Sequence, residues 1–95
     1  MSLPYVHQVL PLFVQRFFVL DSIALENLKR QLENTRPDSI EILPGVMPKV
    51  IRRITGFARV PVIAGGLISD KEDIIAALDA GAAAISSTNP AIWFL

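Results

Sequence analysis

Four times along this chain, a short run of β-branched and apolar residues gives way to a stretch with helical spacing, and few folds accommodate that alternation. Residues 12–19 (LFVQRFFV) read as a strand, and the segment Ser22 to Asn34 carries apolar residues at Ile23, Leu25, Leu28 and Leu32 in a mostly helical period. Asp21 or Ser22 is the natural cap of that helix, with Pro37 just past its end. Residues 38–43 (DSIEIL) form a second strand closed by Pro44-Gly45, and a second helix is expected from Pro48 to Gly56, since proline suits a first helical turn. Residues 60–64 (VPVIA) are apolar throughout, the pattern of a parallel strand covered on both faces. Ser69-Asp70-Lys71-Glu72 is expected to act as a capping box opening a third helix, which runs to Ala80 with Gly81 as a left-handed stop. Residues 82–86 (AAAIS) give a fourth strand, and Asn89-Pro90 opens a short helix toward Trp93.

Strands alternating with helices at this spacing build a parallel sheet. The expected class is α/β, either a (β/α)₈ barrel to which this chain supplies about four βα units (half a barrel) or an open parallel sheet. Residues 1–11 carry no assignable element, leaving residues 12–95 as the folded unit.

Composition narrows the function. Apolar residues make up 52% of only 95 residues and charged ones 19%, more apolar than a domain this small needs for its own core. That excess calls for cover by more chain or by a second copy. The absence of cysteine and the single histidine, His7, argue against metal chemistry, so no metal ligands are expected. His7 reads as a surface residue. No run approaches the roughly 18 apolar residues of a membrane helix, and the first residues lack the features of a signal peptide, so the expectation is a cytoplasmic chain with no membrane partner. The formal net charge is zero, but seven basic and three acidic residues fall between Lys29 and Arg59. Any attraction for a polyanion must therefore be local.

In either fold, ligands sit beyond the C-terminal ends of the strands. Adjacent Gly65 and Gly66 let a backbone approach an anion, and Ser86, Ser87 and Thr88 add hydroxyls before a helix start at Asn89. Gly45 lies in the neighbouring loop. These residues suit a phosphate, or else simply two glycine turns and a polar cap. Arg16, inside an apolar strand, either pairs bidentately with a phosphate or carboxylate or satisfies Asp21 or Glu41. Glu41 alternates with Ile40 and Ile42, so it faces away from them, where it would hold a ligand hydroxyl, act as a base or partner Arg16. Lys49, Arg52 and Arg53 at i, i+3 and i+4, with Arg59 beyond, form either an RNA-binding stripe or a solvated helix face. Trp93 and Phe94 are expected to cover the barrel's edge.

Four segments together resemble the glycerol-3-phosphate-responsive antiterminators: residues 14–22 (VQRFFVLDS), 40–49 (IEILPGVMPK), 61–68 (PVIAGGLI) and 80–93 (AGAAAISSTNPAIW). The resemblance covers roughly residues 10–93. It implies a (β/α)₈-type barrel, here its C-terminal half, binding glycerol 3-phosphate as effector with no cofactor. It also implies a regulator that acts on leader mRNA of glycerol-use operons. Family members run to about twice this length, which implies homo-oligomerisation or association with a missing half. Two other readings compete with it. A barrel isomerase or lyase acting on a phosphorylated substrate would need an acid–base pair, and only Asp21 and Glu41 are carboxylates at the strand ends, so no catalytic residue is assigned. An inactive half-barrel scaffold is the third reading.

Overall fold

A computed structural model describes residues 13–86 of the chain. In order they form β1 (Val14–Phe18), α1 (Ser22–Asn34), β2 (Ser39–Leu43), α2 (Pro48–Phe57), β3 (Val62–Gly65), α3 (Lys71–Asp79) and β4 (Ala84–Ser86). The strands make one parallel sheet in the order β1-β2-β3-β4. This is the parallel α/β architecture expected, and among the described residues it is an open sheet with β1 and β4 as its edges.

Sequential order has a geometric consequence. Right-handed crossovers between neighbouring parallel strands put every connecting helix on the same face. The core agrees: Ile40, Ile42, Val62 and Ala64 from the sheet cluster with Leu25 and Leu28 of α1, Ile51 and Ile54 of α2 and Ala77 of α3. Burying each large side chain of this set contributes about 1.5–3 kcal/mol. The other face carries Val14, Arg16 and Phe18 of β1, Glu41 of β2 and Ile63 of β3, placed together by the register. No helix among the described residues covers it, and Val14 and Phe18 are exposed. The expectation that the third strand is covered on both faces is therefore corrected. Ile63 is only partly buried, because the sequential strand order puts every described helix on the other face.

Local signals set most boundaries. The Asp21 carboxylate accepts the Ala24 amide at 2.8 Å, so Asp21 is the cap of α1. Pro48 occupies the first turn of α2, which extends one residue beyond the expected Gly56 to Phe57. At α3 the expected capping box moves by one residue. Asp70 caps by accepting from the Asp73 amide at 2.9 Å, and the Asp73 carboxylate accepts from the Ser69 amide (3.1 Å) and hydroxyl (3.2 Å). Glu72 sits in the first turn but does not close that box. The helix ends in a Schellman motif: Ala82 donates to the Ala77 carbonyl and Gly81 to that of Leu78, both at 3.0 Å, with Gly81 at φ +112°.

Candidate functional site

Arg16 and Glu41 lie midway along β1 and β2, while Gly45, Gly65, Gly66 and Ser86 lie at or just past the C-terminal ends of β2, β3 and β4. Arg16 and Glu41 are direct partners in the β1–β2 register, and Arg16 Nε donates to Glu41 Oε1 at 2.8 Å. Asp21, the other candidate partner, is engaged in capping α1. The Glu41 side chain is 8% exposed and that of Arg16 is 71% exposed. The carboxylate is thus held beneath, and the guanidinium reaches outward with its two terminal nitrogens making no hydrogen bond among the described residues. A guanidinium fixed through Nε still presents a two-pronged donor edge to an incoming anion.

Gly65 makes room for this pair. A Cβ at position 65 would overlap Glu41 Oε2 and lie 2.9 Å from Cδ, so only a glycine at the end of β3 lets the carboxylate lie across it. Ser86 is the register partner of Gly65 on β4. A cavity of about 630 Å³ on the open sheet face is lined by Arg16, Glu41 and Ser86, with Val14 and Ile63 as apolar walls. Those two walls were not singled out in the sequence. Their signal is parity, since both share the strand face of Arg16 and Glu41.

Two of the predicted glycines work on each other. The Gly45 amide donates to the Gly66 carbonyl at 3.1 Å, and a Cβ on Gly45 would come within 2.7 Å of the Gly65 nitrogen. Gly45 was expected to offer its backbone to a ligand. Its amide is instead committed to the neighbouring loop, so its contribution is the close seating of the two loops. Gly66 has φ +78° and the exposed Leu67 φ +59°, so the β3–α3 loop turns through two successive left-handed residues. Ser87 and Thr88, with Asn89, Trp93, Phe94 and His7, lie outside the described residues.

The basic residues divide into two places. Lys49, Arg52 and Arg53 are exposed on α2, as a stripe requires. Arg59 lies past the Ala58 cap of that helix, in a cleft at the opposite end of the sheet, together with Lys29 and Arg36. The sequence reading joined Arg59 to the stripe and did not single out Lys29 or Arg36. The excess of positive charge between positions 29 and 59 was the available signal. Among the described residues no group of three or more His, Asp or Glu side chains is placed to hold a metal, and no helix is long and apolar enough to cross a membrane.

Comparison with known proteins gives a consistent picture. The family described as glycerol-3-phosphate responsive antiterminator matches residues 7–93. The uncharacterized protein YgcP of Escherichia coli (strain K12) is 48% identical over 82 residues, which are 86% of this chain and 43% of that protein. The crystal structure of the glycerol uptake operon antiterminator regulatory protein from Listeria monocytogenes str. 4b F2365 superposes with a TM-score of 0.81 at 36% identity, covering 85% of this chain and 44% of the other. A glycerol uptake operon antiterminator-related protein from Thermotoga maritima MSB8 gives 0.71 at 40% identity, covering 86% and 46%. The chain spans less than half the length of each of these relatives.

Proposed function

The chain belongs to the glycerol-3-phosphate responsive antiterminator family, and from that premise we propose that it binds glycerol 3-phosphate at the strand C-terminal ends and acts in the cytoplasm on leader mRNA of glycerol-use operons. The family is a regulatory one and not an enzyme family. The observation that carries the ligand reading is the Arg16–Glu41 pair seated over Gly65. The free edge of the guanidinium meets the phosphate, while Glu41 Oε2 and the Ser86 hydroxyl take the glycerol hydroxyls. Gly66, with its left-handed backbone, and Ser87 and Thr88 are the further phosphate contacts that this reading calls on. Lys49, Arg52 and Arg53 meet RNA phosphates on the outer face of α2.

In this reading the chain supplies four βα units of a (β/α)₈ barrel, and the Arg16 pocket lies in the barrel's mouth. The sequential all-parallel order and the single face left open by the helices support it. Further chain or a second copy would close the two edges.

Calorimetric titration with glycerol 3-phosphate, glycerol and inorganic phosphate tests the ligand assignment. Binding of glycerol 3-phosphate, with phosphate much weaker and glycerol alone undetected, is expected. Equal affinity for inorganic phosphate would remove Glu41 and Ser86 from the site, and absence of all three would remove the site itself.

A further inference from the structure

A second cleft lies away from the Arg16–Glu41 pocket, at the far end of the sheet. It occupies about 710 Å³ between the C-terminal ends of α1 and α2, on the side from which β2 and β3 begin. Leu32, Pro37 and Phe57 contribute apolar surface, and Lys29, Arg36 and Arg59 contribute charge. One carboxylate, Glu33, accompanies the three cations. The single ion pair among the described residues is Arg16–Glu41, so none of the three is neutralised. They are not placed as caps for the helix dipoles either, since neither α1 nor α2 has a basic residue in its last turn. Three exposed cations around an apolar floor make a surface complementary to an anionic occupant that also has an apolar part.

Phe57 indicates the shape of that occupant. Phe57 packs in part against the core, yet it lines the cleft and is only partly buried, and the Lys29 ammonium stands 5.6 Å from the centre of its ring, so the cleft joins an accessible aromatic to a cation. The opposite side of α2 is engaged elsewhere: the Thr55 hydroxyl lies within 3.3 Å of the Ala80 carbonyl next to α3. Phe57 is therefore on the flank that faces α1, eight residues and about 12 Å along the helix from Lys49. The exposed stripe at Lys49 and Arg53 leads along the same helix toward it.

We propose that this cleft binds single-stranded RNA, one base lying against Phe57 with the flanking phosphates at Lys29, Arg36 and Arg59. The proposal rests on the reading that the protein acts on RNA, and it locates a contact that the α2 stripe does not include. Stacking on an aromatic ring is tolerant of base identity, and a basic groove beside it tracks the backbone. A duplex, whose bases are already stacked, would gain only the phosphate contacts.

The test is fluorescence anisotropy on the full chain with labelled oligouridylate and oligoadenylate, a duplex RNA of equal length and poly-glutamate, each over a series of salt concentrations. Both single strands should bind, more tightly than the duplex or poly-glutamate. Arg36→Glu with Arg59→Glu, both exposed positions, should lower single-strand affinity and reduce the salt slope by roughly 1.4. Phe57→Leu should cost about tenfold in affinity with the salt slope unchanged. Circular dichroism confirms that each variant folds. If single strands bind and the double reversal leaves affinity and slope intact, the cleft is not the RNA site, although the protein remains an RNA binder. If the wild type binds no RNA with or without glycerol 3-phosphate, the RNA reading fails as well. Poly-glutamate binding as tight as RNA, and indifferent to Phe57→Leu, would make the cleft an acidic-peptide groove and overturn the proposal.

Discussion

Arg16 and Glu41 face each other across adjacent strands, twenty-five residues apart in sequence, joined by one Nε–Oε1 hydrogen bond of 2.8 Å between an exposed side chain and a buried one. The asymmetry makes the two residues unequal under mutation. Arg16→Met strands a buried carboxylate, but solvent screens the outward guanidinium, so the expected loss in urea denaturation is about 1 kcal/mol. Affinity for glycerol 3-phosphate should fall by far more than that. Arg16→Met with unchanged affinity would show that the guanidinium has a structural role only.

Gly65→Ala tests the seat of Glu41. The new methyl would displace the carboxylate, and overpacking of this kind costs about 1–3 kcal/mol. Combining it with Glu41→Ala should recover much of the stability and none of the ligand affinity, a coupling that a double-mutant cycle reads directly. Additive stability losses would mean that the two positions do not meet.

Gly45→Ala should act through backbone rather than ligand. The added carbon would press on Gly65 N and on the Ala64 carbonyl carbon at 2.9 Å, neither of which is a flexible side-chain end. A loss of about 1–3 kcal/mol corresponds to several degrees or more in melting temperature for a domain of this size. An unchanged melting temperature would show that the loops have slack.

The chain on its own is expected to self-associate. Among the described residues it has an uncovered sheet face that includes the exposed Val14 and Phe18, and two unpaired edges. Light scattering at micromolar concentration should give a mass above the monomer. A clean monomer that melts cooperatively would contradict this.

Reversing the stripe with Arg52→Glu and Arg53→Glu should weaken leader-RNA binding and flatten its salt dependence, leaving affinity for glycerol 3-phosphate unchanged. RNA binding with the same slope as the wild type would mark these residues as a solvated helix face.

Much of this was legible before the structure. The limits of α1 follow from the Asp21 cap at one end and the Asn34–Pro37 stretch at the other, both local chemistry. That Glu41 points away from Ile40 and Ile42 follows from the strand period alone. The choice between Asp21 and Glu41 as partner of Arg16 did not follow, because it depends on how two distant strands are registered. Asp70–Asp73 displaced Ser69–Glu72 as the capping pair because both pairs have the right spacing, and the way the loop arrives decides between them. The cleft was hidden for a related reason. Lys29, Arg36, Phe57 and Arg59 come from two helix ends and two linkers that converge only once the sheet is wound in sequential order.

The hydrogen bond from the Gly45 amide to the Gly66 carbonyl has a use beyond architecture. It spans the loops that follow β2 and β3, and a backbone amide exchanges with solvent deuterium only when its bond opens. One proton therefore measures how often these two loops part. A ligand that grips the β3–α3 loop slows the exchange of that proton without touching Gly45 itself.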